Sequence, residues 1–486
     1  MNPSKTNNNI QIDSLRGSIR QLKRRYGRMN RTIIYILVVM MAGAGCQKKD
    51  SDTIGGLTPD QRIAKALTAY QSKLMGAPYG WMFLESTTGI AYNQGVSQNG
   101  PAITLAYYVQ FVDSNTVMMF SDFDTSMSVA RSSSYRIKQL TRPALIFDTY
   151  SYLHVPCDPD PAISKSPFGA GYGWGTDFEF SFSDSTVPTD AGDTVHLLGN
   201  LNSASGLLIK ATQAQRDAYY SGALRNNTSA MLNILEYFKR LTVNGVTYEV
   251  RPNADRTMTV TWISGGQTQS KTTSYYITAT GIVFSTPIVA GGVTLSSIDN
   301  LVWDAGTQTI TASVGGQSAT IKGATAPFSN DVNAPGRWWH YANDNGFYWA
   351  SWNGWHVNGV DDAYGVTKVT DAGGPFYQIA YIPNLLGPQN GNPNADAFVP
   401  LVIKNNALAL ANYFTAPVTP PSFAGGRITF TELGTVGTIP PGGPVDKSDQ
   451  LLYNPAGFYL VQTGTTSYDM VLASTARAWI SWFSPF

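Results

Sequence analysis

A run of aromatic side chains between Arg337 and Tyr364 is the most conspicuous group of potential ligand-binding residues in the sequence. Five of the eleven tryptophans and two histidines lie within it: Trp338, Trp339, Trp349, Trp352, Trp355, His340 and His356. Sugars present C–H faces that stack on exposed aromatic rings, and polar neighbours such as Asn353, Asn358, Asp361 and Asp362 can bond their hydroxyls. We therefore consider a glycan-binding platform formed by the five tryptophans and His356. Because large aromatic side chains are usually buried, an aromatic core is the alternative interpretation.

Four potential metal ligands lie within the seven residues from His154 to Asp160. Zinc is bound by such combinations of residues, and His154, Cys157 and Asp158 are the candidates here. Two prolines stiffen this segment, however, and no second group of ligands follows at a fixed distance. A loop of Asp-Pro turns around a buried, inert thiol explains the same residues. We therefore predict no metal and no cofactor, and retain these three residues as weak metal candidates.

Motifs of the common hydrolases are absent from the sequence. It has four histidines and contains no HExxH, G-x-S-x-G or P-loop pattern, so no catalytic residue is predicted. The carboxylate pair of a glycosidase leaves no local signature, however. Asp177 and Glu179 share one face of a predicted strand and could form such a pair. Ordinary solvated carboxylates on a strand surface explain the same arrangement. A surface hydrolase acting on glycan or peptide therefore stays the alternative to a non-enzymatic protein.

An export signal is indicated by the stretch Met29–Cys46. It has one basic residue, Arg31, then an apolar run too short to span a bilayer, then four small residues before a cysteine. This arrangement is typical of a bacterial lipoprotein signal, in which cleavage before Cys46 leaves that residue to carry the acyl chains. Residues 1–28 are more basic than a signal requires, and we interpret them as an upstream mis-start or an extended basic region.

The composition restricts the partners of the mature chain. Removing residues 1–45, with eight Lys/Arg and one Asp, changes the formal net charge from +1 to −6. A mildly acidic protein repels phosphates, so no nucleic-acid partner is expected. Cys157 would be the one cysteine beyond Cys46, which excludes an intrachain disulfide in the body of the protein. Charged residues make up only 13% of the chain, as suits an exported β-rich protein with polar, uncharged surfaces.

The elements that must position these residues are mostly strands. A capping box at Thr58 and Gln61 predicts a helix that ends at Gly76. Short strands separated by turn signals follow, which predicts a barrel or sandwich. The predicted strands are 81–84, 103–112, 116–121, 134–140, 144–150, 176–183, 195–201 and 206–211.

The pattern of a helix followed by short strands and turns then recurs in shortened form. Two helices are predicted at 213–220 and 229–241, and hairpins with turns at Asn253–Asp255, Asp304–Thr307 and Gly315-Gly316 follow. Equal spacings, from Val117 to Tyr135 and from Met258 to Tyr276, favour a tandem duplication. We predict an all-β fold with a few short helices, made of two related helix-capped β-meander units, calycin-like barrels, and a third β-rich C-terminal domain. The predicted segments are a signal at 29–45, a tether at 46–57, β-meander units at 58–225 and 226–325, and an aromatic-rich domain at 326–486.

Four short blocks stand out: Trp81, Ser134-Tyr135-Arg136-Ile137, Leu145–Tyr150 with Leu153-His154, and Gly175–Phe180. Together they resemble an uncharacterised lipoprotein family of Bacteroidota, classed as a domain of unknown function. The resemblance implies an outer-membrane lipoprotein found beside nutrient importers of the SusC/SusD-like type. It implies no catalytic residues.

We therefore expect a surface-exposed outer-membrane lipoprotein, anchored through Cys46, that assists the binding and TonB-dependent uptake of a nutrient such as a glycan. The periplasmic face of the membrane is the other location to consider. A surface hydrolase, or a structural partner of the importer, is the alternative function.

Overall fold

The computed structural model describes residues 56–183, 192–387 and 394–486. The chain divides into an N-terminal unit, Met1–Ala66, and a large unit, Leu67–Phe486. In the first, helix α1 (Pro59–Met75) begins with the predicted capping box. Gln61 N donates to Thr58 Oγ1 at 3.3 Å, and Thr58 N donates to Gln61 Oε1 at 2.9 Å. Among the described residues, no helix is long and apolar enough to cross a membrane.

The first part of the large unit is a closed barrel of eight antiparallel strands. The strands up to residue 210 are β1 (Trp81–Ser86), β2 (Ile90–Asn93), β3 (Val96–Asn99), β4 (Thr104–Phe111), β5 (Thr116–Ser121), β6 (Arg131–Gln139), β7 (Pro143–Phe147), β8 (Glu179–Phe182), β9 (Thr194–Gly199) and β10 (Ser205–Lys210). β1 pairs with both β4 and β10 and so closes the barrel, while β2 and β3 form a separate hairpin. Two one-turn helices, α2 (His154–Cys157) and α3 (Pro161–Ser164), lie between β7 and β8.

Every second side chain along the strands points inward and fills the interior of this barrel. On β8, Phe180 and Phe182 are buried in the core, whereas Glu179 and Ser181 are partly exposed, as the period of two predicts. Tyr70, near the end of α1, stacks on Phe182 with a centroid separation of 3.9 Å. The helix therefore contributes to the same core as the strands.

Two helices follow the first barrel, α4 (Gln213–Tyr220) and α5 (Ala223–Ala230). The predicted helix at 229–241 is wrong, because α5 ends at Ala230 and a strand begins at Phe238. In this strand Leu241 and Val243, two residues apart, are buried inside the next barrel, whereas Phe238 packs against Val471 and Ala476. Burial in the barrel therefore overrides the helical spacing that the sequence indicates.

The second barrel is an uninterrupted antiparallel meander, closed by pairing of its first and last strands. Its strands are β11 (Phe238–Val243), β12 (Val246–Pro252), β13 (Thr257–Ser264), β14 (Gln267–Ile277), β15 (Gly281–Ala290), β16 (Val293–Asp304), β17 (Thr309–Val314) and β18 (Gln317–Ala324). The two barrels are joined by an ion pair, in which Arg256 Nη2 lies 2.9 Å from Asp122 Oδ2. The backbone amides of Ala106 and Ile277 also donate to the buried Asp122 carboxylate.

The C-terminal domain is a ten-stranded sheet with two helices. Its elements are α6 (Ala334–Asn345), β19 (Trp349–Ser351), β20 (His356–Val357), β21 (Phe376–Leu386), β22 (Ala395–Lys404), β23 (Ala407–Leu410), β24 (Phe414–Pro417), β25 (Glu432–Val436), α7 (Pro444–Leu452), β26 (Phe458–Gly464), β27 (Ser467–Leu472) and β28 (Ala478–Phe483). The main path runs β25-β24-β22-β21-β19-β28-β27-β26. The predicted mostly β fold, with two barrels and a β-rich C-terminal domain, is confirmed.

Candidate functional site

Most of the predicted aromatic platform lies in the core of the C-terminal domain. Trp338, Trp339, Trp349 and Trp355 are each at most 5% exposed. Trp349 Nε1 donates to the carbonyl of Trp338 at 2.8 Å, and the two indoles stack at 5.7 Å. Trp339 Nε1 donates to Asp396 Oδ2 at 2.8 Å. These four rings therefore present no free face to a ligand, and the platform hypothesis rests on Trp352 and His356.

Trp352 and His356 line a cleft of about 970 Å³ between the second barrel and the C-terminal sheet. One wall is built from the outer faces of β12–β14 and the other from the outer faces of β27 and β28. Trp352 is 55% exposed. A cleft of this size between two domains is a common location for a ligand site.

The wall contributed by the C-terminal sheet carries two aromatic stacks. His356 stacks on Trp479 with ring centroids 3.7 Å apart and planes at 21°. Trp352 stacks on Phe483 at 5.3 Å, also at 21°. Trp479 and Phe483 reach the cleft because side chains alternate along β28, whose Ile480 belongs to the buried core.

The opposite wall carries a network of hydroxyls and one amide, beside the charged Arg251 and Asp255 and the apolar residues of segment 231–235. Asn253 Nδ2 donates to Thr257 Oγ1 and to Thr259 Oγ1, each at 2.9 Å. Thr259 is paired in register with Thr272, and their hydroxyls are 2.9 Å apart. Hydroxyls both donate and accept hydrogen bonds, so this wall can pair with the hydroxyls of a ligand in either sense.

Charged groups are present in the cleft, and each has a protein partner. Tyr237 donates to Asp469 Oδ2 at 2.6 Å, and burial raises the pKa of Asp469. His356 Nδ1 is 2.6 Å from Asp361 Oδ1, and this hydrogen bond lowers the pKa of Asp361. Lys239 Nζ donates to the carbonyl of Glu236 at 2.9 Å, and burial lowers the pKa of Lys239 to about 8.

Sequence reasoning missed most of this site. Trp479 and Phe483 lie in the last strand and the hydroxyl wall lies in the second barrel, so no single stretch of sequence contains the cleft. One local signal was present. The alternation of Trp479, Ser481 and Phe483 with Ala478, Ile480 and Trp482 predicts a strand with one aromatic face outside the core.

Of the three weak metal candidates, Cys157 lines a smaller cavity of about 380 Å³ in the first barrel. Each candidate has protein partners. His154 Nδ1 is 3.0 Å from Ser151 Oγ, and Asp158 Oδ2 accepts from Tyr150 at 2.5 Å. Cys157 Sγ lies 3.2 Å from the carbonyl of Leu153 and 3.1 Å from Thr176 Oγ1. No group of three or more His, Cys, Asp or Glu side chains suited to a metal ion occurs in the part of the chain that the structure describes.

The proposed acylation site, Cys46, and the signal and upstream segments lie outside the described residues.

Comparison with solved structures gives weak similarities. The structure of intact Ap-TbpB, with its N and C lobes, is 9% identical, over 83% of this chain and 76% of that chain, with a TM-score of 0.14. The β chain of DNA polymerase III from Streptococcus pneumoniae is 8% identical, over 87% of this chain and 96% of that chain, also with a TM-score of 0.14. Neither similarity supports a fold or a function for this chain.

Comparison with curated proteins gives no match. A family described as Domain of unknown function (DUF4302) does match, over residues 52–305, which is more than half of the chain. The matched region contains the first barrel and most of the second, and it leaves out the C-terminal sheet. The chain belongs to the DUF4302 family.

Proposed function

We propose that this protein binds a saccharide in the cleft between the second barrel and the C-terminal domain. The observation that carries this proposal is the pairing of two aromatic stacks, around Trp479 and Phe483, with a facing wall of hydroxyls and an amide. Pyranose rings have apolar C–H faces and a rim of hydroxyls, and therefore need both kinds of surface at once. An apolar ligand would displace water from these hydroxyls without replacing the hydrogen bonds that they make beyond their protein partners, at a cost for each desolvated group.

The proposed setting is the outer membrane. Cleavage before Cys46 and acylation of that residue would hold the protein at a lipid surface, where a non-enzymatic binding protein could deliver its ligand to a SusC/SusD-like importer for TonB-dependent uptake. The signal-like stretch Met29–Cys46 and the resemblance of the sequence blocks to importer-associated lipoproteins support this part of the proposal. Radiolabelled palmitate should be incorporated by the native protein and lost in the variant Cys46→Ser, which should leave the membrane fraction.

A glycan array followed by calorimetry on residues 47–486 tests the binding proposal. We expect one class of neutral glycan to bind, and the variant Trp352→Ala to lose about fivefold in affinity because an aromatic contact contributes about 1 kcal/mol. Tyr150→Ala is the matched control, since Tyr150 is an exposed aromatic residue on the first barrel, away from the cleft. Equal losses in both variants, or no bound glycan, would refute the proposal.

Hydrolysis of the bound glycan is the second candidate function, and one observation favours it. Asp469 and Asp361 both line the cleft, and their environments shift their pKa values in opposite directions. Glycosidases need one protonated and one ionised carboxyl group. Release of new reducing ends from the bound glycan, abolished by Asp469→Asn, would establish this activity. If no product forms over prolonged incubation, the protein is a binding protein alone.

A further inference from the structure

The two aromatic stacks of the cleft are separated along one strand. Trp479 and Phe483 lie four residues apart on β28, and both project from the same face. Because a strand rises about 3.3 Å per residue, the stacks built on these residues are about 13 Å apart. A single pyranose ring is much shorter than this separation and covers only one of them.

The surface between the stacks is polar. Asp469 is paired in register with Ser481, midway between Trp479 and Phe483, and Ser467 is paired with Phe483. The aromatic residues therefore form two separate platforms, not one continuous apolar surface. The Asp469 carboxylate, which lies between the stacks, already accepts a hydrogen bond from the Tyr237 hydroxyl at 2.6 Å.

The facing wall is extended as well. Thr257 and Thr259 are successive outward-facing residues of β13, and Ser270 and Thr272 occupy the neighbouring strand β14. Their hydroxyls are spread along the strands and are not gathered at one point. A ligand that repeats its hydroxyls along its length would meet this row at several positions.

From these spacings we infer that the ligand is a linear oligosaccharide whose chain runs along β28, with one sugar ring on the His356–Trp479 stack and another on the Trp352–Phe483 stack. This inference rests on the proposed saccharide-binding function and adds the length and the orientation of the ligand. The two stacks are subsites occupied by different rings of the same chain. A monosaccharide occupies one subsite at a time.

The affinity of the protein for oligosaccharides of increasing length tests this inference. The probes are the malto-, cello-, xylo- and laminari-oligosaccharides, from the monosaccharide to the hexasaccharide, titrated calorimetrically into residues 47–486. In the series that binds, we expect affinity to rise at least about tenfold once the chain is long enough to reach both stacks, and then to level off. Constant affinity along a binding series would overturn the inference and leave the saccharide-binding proposal intact. No binding in any series or on the array would overturn both.

Variants separate the two subsites. Trp352→Ala should reduce the affinity for the longest probe to about that of a short probe, because the chain then has one platform. Trp479→Phe should weaken binding at the other stack in the same direction but to a smaller extent, because a smaller ring remains, and it keeps a ring in place so that the fold is preserved. If neither variant changes the length dependence, the two stacks are not subsites of one chain. Circular dichroism and the unfolding midpoint establish that each variant is folded.

Discussion

Arg477 donates two hydrogen bonds, from Nε at 2.8 Å and Nη2 at 2.6 Å, to the same carboxylate oxygen of Glu236. Glu236 lies two residues before β11 and Arg477 immediately precedes β28, so the pair joins the two walls of the cleft. The next residue, Tyr237, adds a backbone hydrogen bond to the carbonyl of Ala476 at 2.7 Å. Trp479 lies two residues beyond Arg477, and its position therefore depends on this junction.

Removing this ion pair should weaken ligand binding without touching a ligand-contacting residue. We expect Arg477→Met to cost about 1–3 kcal/mol of unfolding free energy, because the charged, largely buried Glu236 loses its hydrogen bonds. Saccharide affinity should fall several-fold as β28 becomes less fixed, and hydrogen exchange should increase in β28. Arg136→Met is the control, since the Arg136–Asp148 pair is on the surface of the first barrel and contributes little. Unchanged affinity in Arg477→Met would show that the pair does not position the cleft.

The tryptophans of the aromatic run should separate into two classes by their effect on stability. Trp355 is fully buried and stacks on Phe458 at 5.3 Å, so Trp355→Ala should cost about 3–5 kcal/mol. Trp352 is 55% exposed, and Trp352→Ala should cost less than about 1 kcal/mol. Urea unfolding followed by far-UV circular dichroism measures both. Similar losses for the two variants would contradict the placement of Trp352 on the cleft surface.

Local signals in the sequence account for much of the fold. The bounds of β5 and α4 agree to the residue with the predicted strand 116–121 and helix 213–220. In the structure a turn at Asp113–Asn115 precedes β5, and a capping box at Thr212 and Gln215 begins α4. Helix α6 was missed. It is rich in aromatic residues with modest helix propensity, and no side chain caps its N-terminus at Asn333.

The site was less predictable than the fold. Aromatic content singled out residues 338–356, but whether a given ring is core or surface depends on tertiary packing. Trp355 and His356 are neighbours in the chain, and only His356 reaches the cleft. The residues opposite, Asn253 and Thr272 among them, look like ordinary strand and turn residues until the second barrel is placed against the C-terminal sheet.

Cys157 should be a slowly reacting thiol in the folded protein. Burial raises its pKa well above the usual value, so little reactive thiolate is present near pH 8. We expect Ellman's reagent to modify it at least about 100-fold more slowly than free cysteine, with full reactivity after unfolding in guanidinium chloride. The measurement uses residues 47–486, in which it is the one cysteine. Thr307→Cys in an exposed turn is the control and should react at once in the folded state. Rapid reaction of Cys157 itself would contradict its raised pKa.

Asp449 should make the stability of the protein depend on pH. The residue is 6% exposed on α7, and neither of its carboxylate oxygens has a hydrogen-bond partner among the described residues. Burial, together with the nearby charges of Asp446 and Glu432, raises its pKa to about 8. The folded state therefore favours the protonated carboxyl group, whereas the unfolded chain ionises near pH 4. The stability that this group supplies is complete below about pH 4 and is lost as pH rises through about 8.

Asp449→Asn removes this dependence, because the amide cannot ionise. We expect the variant and the parent protein to be similarly stable near pH 4, and the variant to be the more stable near pH 9, by an amount on the order of 5 kcal/mol. Urea unfolding between about pH 4 and about pH 9 measures the difference. Asp304→Asn is the control, because Asp304 is an exposed turn residue whose hydrogen bonds lower its pKa, so its replacement should leave the alkaline part of the profile unchanged. Parallel profiles for Asp449→Asn and the parent protein would mean that the Asp449 carboxylate is hydrated or paired in solution.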